Sequence, residues 1–216
     1  VALTAPRTQD DQLAARAALA GVNEDLRVGL NMPVVTFIGP LQPPYELNHL
    51  VAAWHRVAQQ HPHARLWLIG DGAQRERLYR SIRDTDLFGR VLMPGTFDDL
   101  EDVLRASDLL IVPSAAVDQS LSILTAMAGH VPVLVASGEG HDNLVQDGVT
   151  GRRLDQCDPH SIADAIIDAL AEPQRGEQMA RAACEFVGQH HSLRDMALRH
   201  HRLFNDLIRS SQRLVP

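Results

Sequence analysis

The sequence predicts an α/β protein with a doubly wound parallel sheet of about six strands and helices on both faces. Short apolar runs alternate with longer amphipathic segments along the chain. The runs are almost continuously apolar, which suits strands that are covered on both faces, as in parallel sheets. Each strand–helix–strand connection then implies a right-handed crossover, and the repeated alternation favours an open sheet over a barrel or sandwich.

Five runs of large or β-branched apolar residues form the predicted strands. Gly ends the first three runs and Ser ends the last two. The five runs are residues 34–39, 65–70, 90–95, 108–114 and 132–137. A short sixth strand is expected at residues 151–154.

Helical patterns fill the intervals between the strands, and capping residues support one boundary. Asp158 followed by Pro159 is typical of an N-cap and a first helical residue, which opens a helix over 161–171 that Pro173 closes. The other predicted helices cover residues 10–20, 46–60, 74–85, 98–106, 120–128 and 141–146, with two more inside 177–210 that are broken around 188–192.

Length and composition predict one Rossmann-like domain over residues 1–216, with a core at 33–172 and C-terminal helices at 174–210. The absence of an initiator Met predicts a piece of a longer protein. A formal charge of -7 gives no electrostatic reason to expect nucleic acid as a partner. No apolar run approaches the roughly 20 residues that span a bilayer. Cys157 and Cys184 lack a CxxC pattern and fit reduced thiols, which predicts a cytoplasmic location.

The expected binding region is the edge of the sheet where the strands end. In a doubly wound sheet, ligands bind beyond the carboxyl ends of the strands, near the switch in strand order. The loop 117–121 leads into the predicted helix 120–128. Unpaired N–H groups and the positive end of a helix dipole at such a loop suit a diphosphate.

Several motifs in order along the chain carry a family resemblance. They are FIGPL (37–41), LIGDG (68–72), VPS (112–114), LTAMAG (124–129), PV (132–133) and NLVQDGVTG (143–151). From about residue 33 to 170, the chain resembles the nucleotide-sugar half of a retaining GT-B glycosyltransferase of family 4.

The resemblance implies which positions would hold the donor. In that family an Arg and a Lys after the first strand, together with amides of a glycine loop, stabilise the leaving diphosphate, where charge develops. Two glutamates eight residues apart hold the sugar and the ribose. The Arg and Lys positions fall on Pro40 and Tyr45, the glutamate positions on Val117 and Thr125, and the loop glycines on Asp118 and Ser120. The candidate donor-binding residues are Gly39, Pro40, Tyr45, Gly70, Gly72, Gly95, Val117, Asp118, Gln119, Ser120, Leu121 and Thr125.

Two functions stay open at this point. The first is a donor domain that binds a nucleotide sugar for glycosyl transfer, inactive without an N-terminal acceptor-binding domain. The resemblance implies no metal and no other cofactor, and membrane contact only through that other half. The alternative is a degenerate, non-catalytic module for partner binding or scaffolding, because Val117 cannot accept a sugar hydroxyl and Pro40 and Tyr45 cannot neutralise a diphosphate. The nucleotide, sugar and acceptor remain open.

Two weaker patterns point elsewhere. The 11 histidines include adjacent or alternating pairs, which do not face one metal on a helix, so we expect surface histidines. Gly138-Glu139-Gly140 partly matches a dinucleotide fingerprint, but it lacks the third glycine. We interpret it as a turn that permits close approach, with His141 and Asp142 capping the next helix or, as the sharper alternative, contacting a sugar.

Overall fold

Six strands form one parallel sheet in the computed structural model, which describes residues 3–191 and 193–212. The strand order is β3–β2–β1–β4–β5–β6. The strands are β1 (Val34–Ile38), β2 (Arg65–Ile69), β3 (Val91–Gly95), β4 (Leu109–Val112), β5 (Val133–Ala136) and β6 (Arg152–Leu154). The predicted fold class is confirmed, including the short sixth strand.

The switch in strand order lies between β1 and β4. Val35 of β1 pairs with Leu66 of β2 on one side and with Leu109 of β4 on the other. The chain winds outward from β1 through β2 to β3, then returns to the other side of β1 and continues to β6. The connections that follow the neighbouring strands β1 and β4 therefore leave in opposite directions, and a crevice opens between these two loops.

The helices are α1 (Gln9–Val22), α2 (Leu47–Gln60), α3 (Arg75–Arg83), α4 (Glu101–Ala106), α5 (Ser120–Ala128), α6 (Glu139–Asp142), α7 (Pro159–Ala171), α8 (Pro173–His190) and α9 (Leu193–Gln212). Two single 3₁₀ turns occur at Glu24–Leu26 and Pro43–Tyr45. Within the described ranges, no helix combines the length and apolar character needed to cross a bilayer.

Side-chain alternation along the strands builds a core on each face of the sheet. Successive strand residues point to opposite faces, so Val35 and Phe37 face α2, α3 and α7, whereas Val34 and Ile38 face α1, α4, α5 and α8. Trp54 belongs to the first cluster and Trp67 to the second, and both are fully buried. Burial on both faces explains why the inner strands β1, β2, β4 and β5 are almost entirely apolar, whereas the edge strand β6 contains Arg152 and Arg153.

Several helix boundaries differ from the prediction, and the helix predicted from residue 98 begins only at Glu101, whose amide donates to the Asp99 carboxylate. The predicted helix 141–146 is wrong in extent, because α6 ends at Asp142 and the Thr150 hydroxyl accepts from the Gln146 amide to form a turn instead. Pro173 does more than end α7, since it is also the first residue of α8. The Asp158 cap is confirmed, with its carboxylate accepting from the His160 and Ser161 amides. The break between α8 and α9 is confirmed too, and its Ser192 lies outside the described residues.

Candidate functional site

The loops after β1 and β4 meet at the switch point and form a crevice at the carboxyl edge of the sheet. Ser114, just after β4, donates a hydrogen bond of 2.5 Å to the carbonyl of Pro44 in the β1 loop. Its hydroxyl oxygen accepts from the amide of Ala116 at 3.2 Å. The predicted candidate residues of both loops are therefore brought to one place.

Gln119 forms the floor of this crevice. The side chain is 5% exposed, and its Nε2 donates to the carbonyl of Ile38, the last residue of β1, at 2.9 Å. A Cβ on Gly39 would lie 2.6 Å from that nitrogen, so a larger residue there would displace the Gln119 side chain. The Gln119 Oε1 is buried and has no hydrogen-bond partner. An unpaired buried acceptor is costly to a fold, which marks this position as more than a packing residue.

Two glycines let the β2 loop approach the β1 loop closely. Gly70 has φ +143°, and a Cβ there would lie 2.0 Å from the carbonyl oxygen of Gly39. Gly72 has φ +158°, and its Cβ would lie 2.5 Å from the carbonyl oxygen of Leu41. Both positions therefore require glycine. Gly95, at the end of β3, has φ +98° but open space around it.

Neither position of the family's two glutamates presents a free polar group. Val117 is half-buried and packs against the core cluster that contains α2 and α7. Thr125 lies one turn into α5, where its hydroxyl donates to the carbonyl of Leu121 at 2.7 Å. Leu121 itself is 73% exposed, so the first turn of α5 offers an apolar side chain to solvent.

The two positions of the family's cations are also uncharged. Pro40 is exposed and has no amide hydrogen to donate. Tyr45 is buried, and its ring packs edge-on against Phe37 with centroids 5.9 Å apart and an interplanar angle of 76°. The tyrosine therefore faces the core.

Asp118 binds the beginning of α5. Its Oδ1 accepts from the Ser120 amide at 2.8 Å and from the Ser120 hydroxyl at 2.5 Å. These bonds, the hydroxyl one first, lower the pKa of the exposed Asp118 carboxyl, and the nearby His141 lowers it further. The carboxylate is therefore ionised at neutral pH, and a chemical group that binds at this helix end meets a negative charge.

The loops at the carboxyl edge are acidic. The loops 39–46, 70–74, 94–96, 113–121 and 137–142 contain no Arg, and the whole chain contains no Lys. Their acidic residues are Glu46, Asp71, Asp118, Glu139 and Asp142. Asp142 is paired with Arg153 of β6 at 3.2 Å. Arg75, the first residue of α3, donates to the carbonyl of Met93 in β3 at 2.7 Å. Inside the five loops, which contain no Arg or Lys, amides and helix dipoles are the groups that can attract an anion.

His141 is a residue that sequence reasoning underrated. It is 1% exposed, with Nδ1 3.1 Å from the carbonyl of Ala136 at the end of β5, and its Nε2 is buried without a partner. A Cβ on Gly138 would lie 2.5 Å from the Ala115 Cβ, so the loops after β4 and β5 approach closely. The sequence signal for His141 was its place beside the Gly138 turn, which does not report the burial of the imidazole.

The described part of the chain contains neither a cluster of metal ligands nor an activated thiol. No three His, Cys, Asp or Glu residues there converge as metal ligands, and the expectation of a metal-free site stays a prediction. Burial raises the pKa of both the Cys157 and Cys184 thiols, so neither is a thiolate nucleophile near neutral pH.

Two hollows lie outside the loop after β4, which borders the switch crevice. One of about 250 Å³ lies at the amino edge of the sheet, where Arg7, Asp108 and Arg152 contribute to its walls. The other, of about 720 Å³, lies beside the edge strand β3 and takes Asp71 and Gly72 from the β2 loop. Neither takes a residue from the loop after β4, so we locate the candidate site from strand topology and loop geometry instead.

Known proteins are similar to this chain over the residues that form the crevice. The family described as Glycosyl transferases group 1 matches residues 32–172. The lipopolysaccharide core biosynthesis glycosyltransferase LpsE of Rhizobium meliloti is 30% identical over 158 residues, covering 73% of this chain and 45% of its own. The D-inositol 3-phosphate glycosyltransferase of Mycobacterium bovis is 34% identical over 182 residues, covering 80% and 36%. The chain thus spans less than half the length of these relatives.

Solved structures show the same architecture. Anabaena HepE in complex with UDP superposes with a TM-score of 0.80 at 23% identity, covering 92% of this chain and 53% of that one. HepE in complex with UDP and glucose gives 0.72 at 26% identity, covering 84% and 48%. The sucrose-phosphate synthase of Thermosynechococcus elongatus gives 0.79 at 25% identity, covering 92% and 49%.

Proposed function

The chain belongs to the glycosyl transferases group 1 family, and we propose that it is the nucleotide-sugar half of a glycosyltransferase. In this proposal a nucleoside diphosphate sugar binds in the crevice between the loops after β1 and β4. The sugar is transferred to an acceptor that a second, N-terminal domain holds. The isolated chain then binds the donor without turning it over, because the reacting groups lie between two domains.

The observation that carries the proposal is the close approach of three loops at the switch point. Gly70 and Gly72 are required there, because a Cβ would strike the backbone of the β1 loop, and a Cβ on Gly39 would displace the Gln119 side chain. Such backbone-lined crevices suit ligands held by amides and helix termini, as phosphates are. The relative HepE, 26% identical, has been crystallised with UDP and glucose, which supports a nucleotide sugar as the ligand.

The four polar positions favour a second candidate, a donor-type domain without catalytic activity. Val117 packs into the core, Thr125 bonds to its own helix, and Tyr45 packs on Phe37. A transition state that leaves charge on a diphosphate needs preorganised cations, and Pro40 replaces one of them. In this second function the domain binds weakly or serves as a scaffold.

Thermal-shift titration with UDP, GDP, ADP and their glucose esters tests the proposal. Ligands that bind the native state raise the melting temperature with concentration, so one of the nucleotides should give a saturable rise. Gly39→Val should abolish it by displacing Gln119, whereas Gly21→Val, at an open position in α1, should not. No rise with any nucleotide at millimolar concentration would overturn nucleotide binding and leave the scaffold function.

A double substitution separates an active from a degenerate site. Val117→Glu with Thr125→Glu restores the family's acceptors, and we expect it to raise the affinity for the sugar ester more than for the free nucleotide. An unchanged ratio would contradict our assignment of these two positions. A cytoplasmic location, where nucleotide sugars are made, remains part of the same proposal.

A further inference from the structure

We propose that Asp118 is a specificity-determining residue that competes with the diphosphate for the N-terminus of α5 and favours the intact donor over free nucleoside diphosphate. The inference rests on the proposed function and extends it to ligand selectivity. It is based on the position of the Asp118 carboxylate, which already occupies the N-terminus of α5, where a phosphate would otherwise be attracted.

The hydrogen bonds of Asp118 place its charge at the start of the helix. Its Oδ1 takes both the amide and the hydroxyl of Ser120, at 2.8 and 2.5 Å. Ser120 is the first residue of α5, a helix of nine residues. An anion that binds there must either displace the carboxylate or lie beside it, and both weaken binding.

Two buried acceptors at the same edge point to a ligand that donates hydrogen bonds. The Gln119 Oε1 and the His141 Nε2 have no partner, and the two side chains are 5% and 1% exposed. When His141 Nδ1 carries the proton, it donates to the Ala136 carbonyl at 3.1 Å, and Nε2 is then an acceptor. Sugar hydroxyls can satisfy such groups, whereas phosphate oxygens cannot.

Charge distinguishes the donor from its leaving group. A terminal phosphate has a second pKa of about 6, so a free nucleoside diphosphate carries roughly one more negative charge near neutral pH than the sugar ester. The Asp118 carboxyl is ionised under the same conditions, since its hydrogen bonds to Ser120 lower its pKa. Repulsion is therefore larger for the free diphosphate, which would speed its departure after transfer.

Calorimetric titration of the wild-type chain, Asp118→Asn and Asp118→Gly with UDP, GDP, ADP and their glucose esters tests this inference. Asparagine keeps an acceptor for Ser120 and removes the charge, and glycine removes both. We expect the free nucleotide to bind roughly tenfold more tightly to either variant, and the sugar ester to gain less. Added salt should strengthen nucleotide binding to the wild-type chain by screening the repulsion.

Asp11→Asn is the matched control. Asp11 is also an exposed carboxylate that bonds a helix end, accepting from the Thr8 amide at 3.0 Å and the Thr8 hydroxyl at 2.6 Å. It lies on α1, away from the crevice, and its replacement changes the net charge by the same amount. Nucleotide affinity should therefore stay unchanged in this variant.

Three results would overturn the inference in distinguishable ways. If the Asp118 variants bind the free nucleotide and the sugar ester with equally increased affinity, or with unchanged affinity, Asp118 does not determine selectivity. The proposed function is unaffected by that result. Binding that needs Mg²⁺ in the wild-type chain but not in Asp118→Asn would make Asp118 a cation ligand that attracts the diphosphate. If no nucleotide binds to the wild-type chain, to Asp118→Asn or to Asp118→Gly, the proposed function is wrong. The inference is then wrong as well, because removing the carboxylate would not have exposed a binding site for an anion.

Discussion

The two edges of the sheet at the β1–β4 switch carry opposite kinds of polar group. At the amino edge, Asp108 accepts from Arg16 at 2.7 Å, from the Gln12 amide at 2.8 Å and from the backbone amide of Val34 at 2.7 Å. Arg16, 1% exposed, also donates to the carbonyl of Ala106 at 3.0 Å. At the carboxyl edge, Gln119 keeps an acceptor without a partner. The charged groups of the Asp108–Arg16 network are paired, whereas the Gln119 oxygen at the carboxyl edge is not.

The difference in pairing distinguishes polar groups that stabilise the domain from polar groups that are available to a ligand. Buried polar groups are nearly always paired when their role is structural, and the amino-edge network ties α1 to the two central strands. Buried groups left unpaired at the crevice cost stability in the ligand-free chain. The Asp108 network is therefore structural, and the unpaired Gln119 oxygen is a group that a ligand of the proposed function would satisfy.

Arg16→Ala should give the largest loss of stability. It removes a buried guanidinium and takes one donor each from Asp108 and from the carbonyls of Ala106 and Gly29, a change that costs about 3 kcal/mol. Urea denaturation measures it. Arg27→Ala is the control, because Arg27 is exposed and pairs only with Glu24, three residues away. Similar midpoints for the two variants would mean that the amino-edge network does not stabilise the fold.

Gly70→Ala should cost about 2 kcal/mol, since alanine is strained at φ +143° and its methyl group must push away the Gly39 carbonyl. Gly21→Ala, in α1 with nothing within 4 Å, should be neutral or slightly stabilising. Both are measured by denaturation. Because the strain distorts the crevice, Gly70→Ala should also reduce nucleotide binding. Full stability in Gly70→Ala would show that the loops can separate freely.

The fold was predictable because its signal is repeated along the chain. The inner strands β1, β2, β4 and β5 are covered on both faces and are almost entirely apolar in sequence, whereas the edge strand β6 begins with Arg152 and Arg153. The order of the elements limits the topology. The α6 helix was misjudged because one contact, from the Gln146 amide to Thr150, ends a pattern that local sequence leaves continuous.

The site was harder to predict because it depends on side-chain direction. Tyr45 and Val117 were placed at the crevice by their positions in the motif, but whether an aromatic or apolar side chain turns inward depends on neighbours such as Phe37. Gln119 is a polar residue in a loop, and its burial follows from contact with Ile38, 81 residues away. No local pattern reports such a contact.

Substitutions of Gln12 at the amino edge and Gln119 at the carboxyl edge allow the stability contributions of the two edges to be compared directly. Gln12→Leu should cost about 2 kcal/mol, because it removes a donor from the charged Asp108 while the carboxylate stays in place. Gln119→Leu loses one bond to the Ile38 carbonyl but also removes an unpaired oxygen, so its cost should stay below about 1 kcal/mol. Denaturation of both variants measures the difference. An equal loss in the two would show that Gln119 is as structural as Gln12.

Acid titration should give the smallest difference between the edges. Hydrogen bonds lower the pKa of Asp11 at the amino edge, first from the Thr8 hydroxyl, and that of Asp118 at the crevice, first from the Ser120 hydroxyl. A lowered folded-state pKa gives stability that is present above the unfolded value, near 3.9, and is lost as the pH falls through the folded value. Asp11→Asn and Asp118→Asn should therefore each flatten the decline of stability below about pH 4 by a similar small amount. If only one variant flattens the decline of stability with falling pH, the exposed carboxylates of the two edges also differ. If both variants flatten it equally, the difference between the edges lies in their buried polar groups.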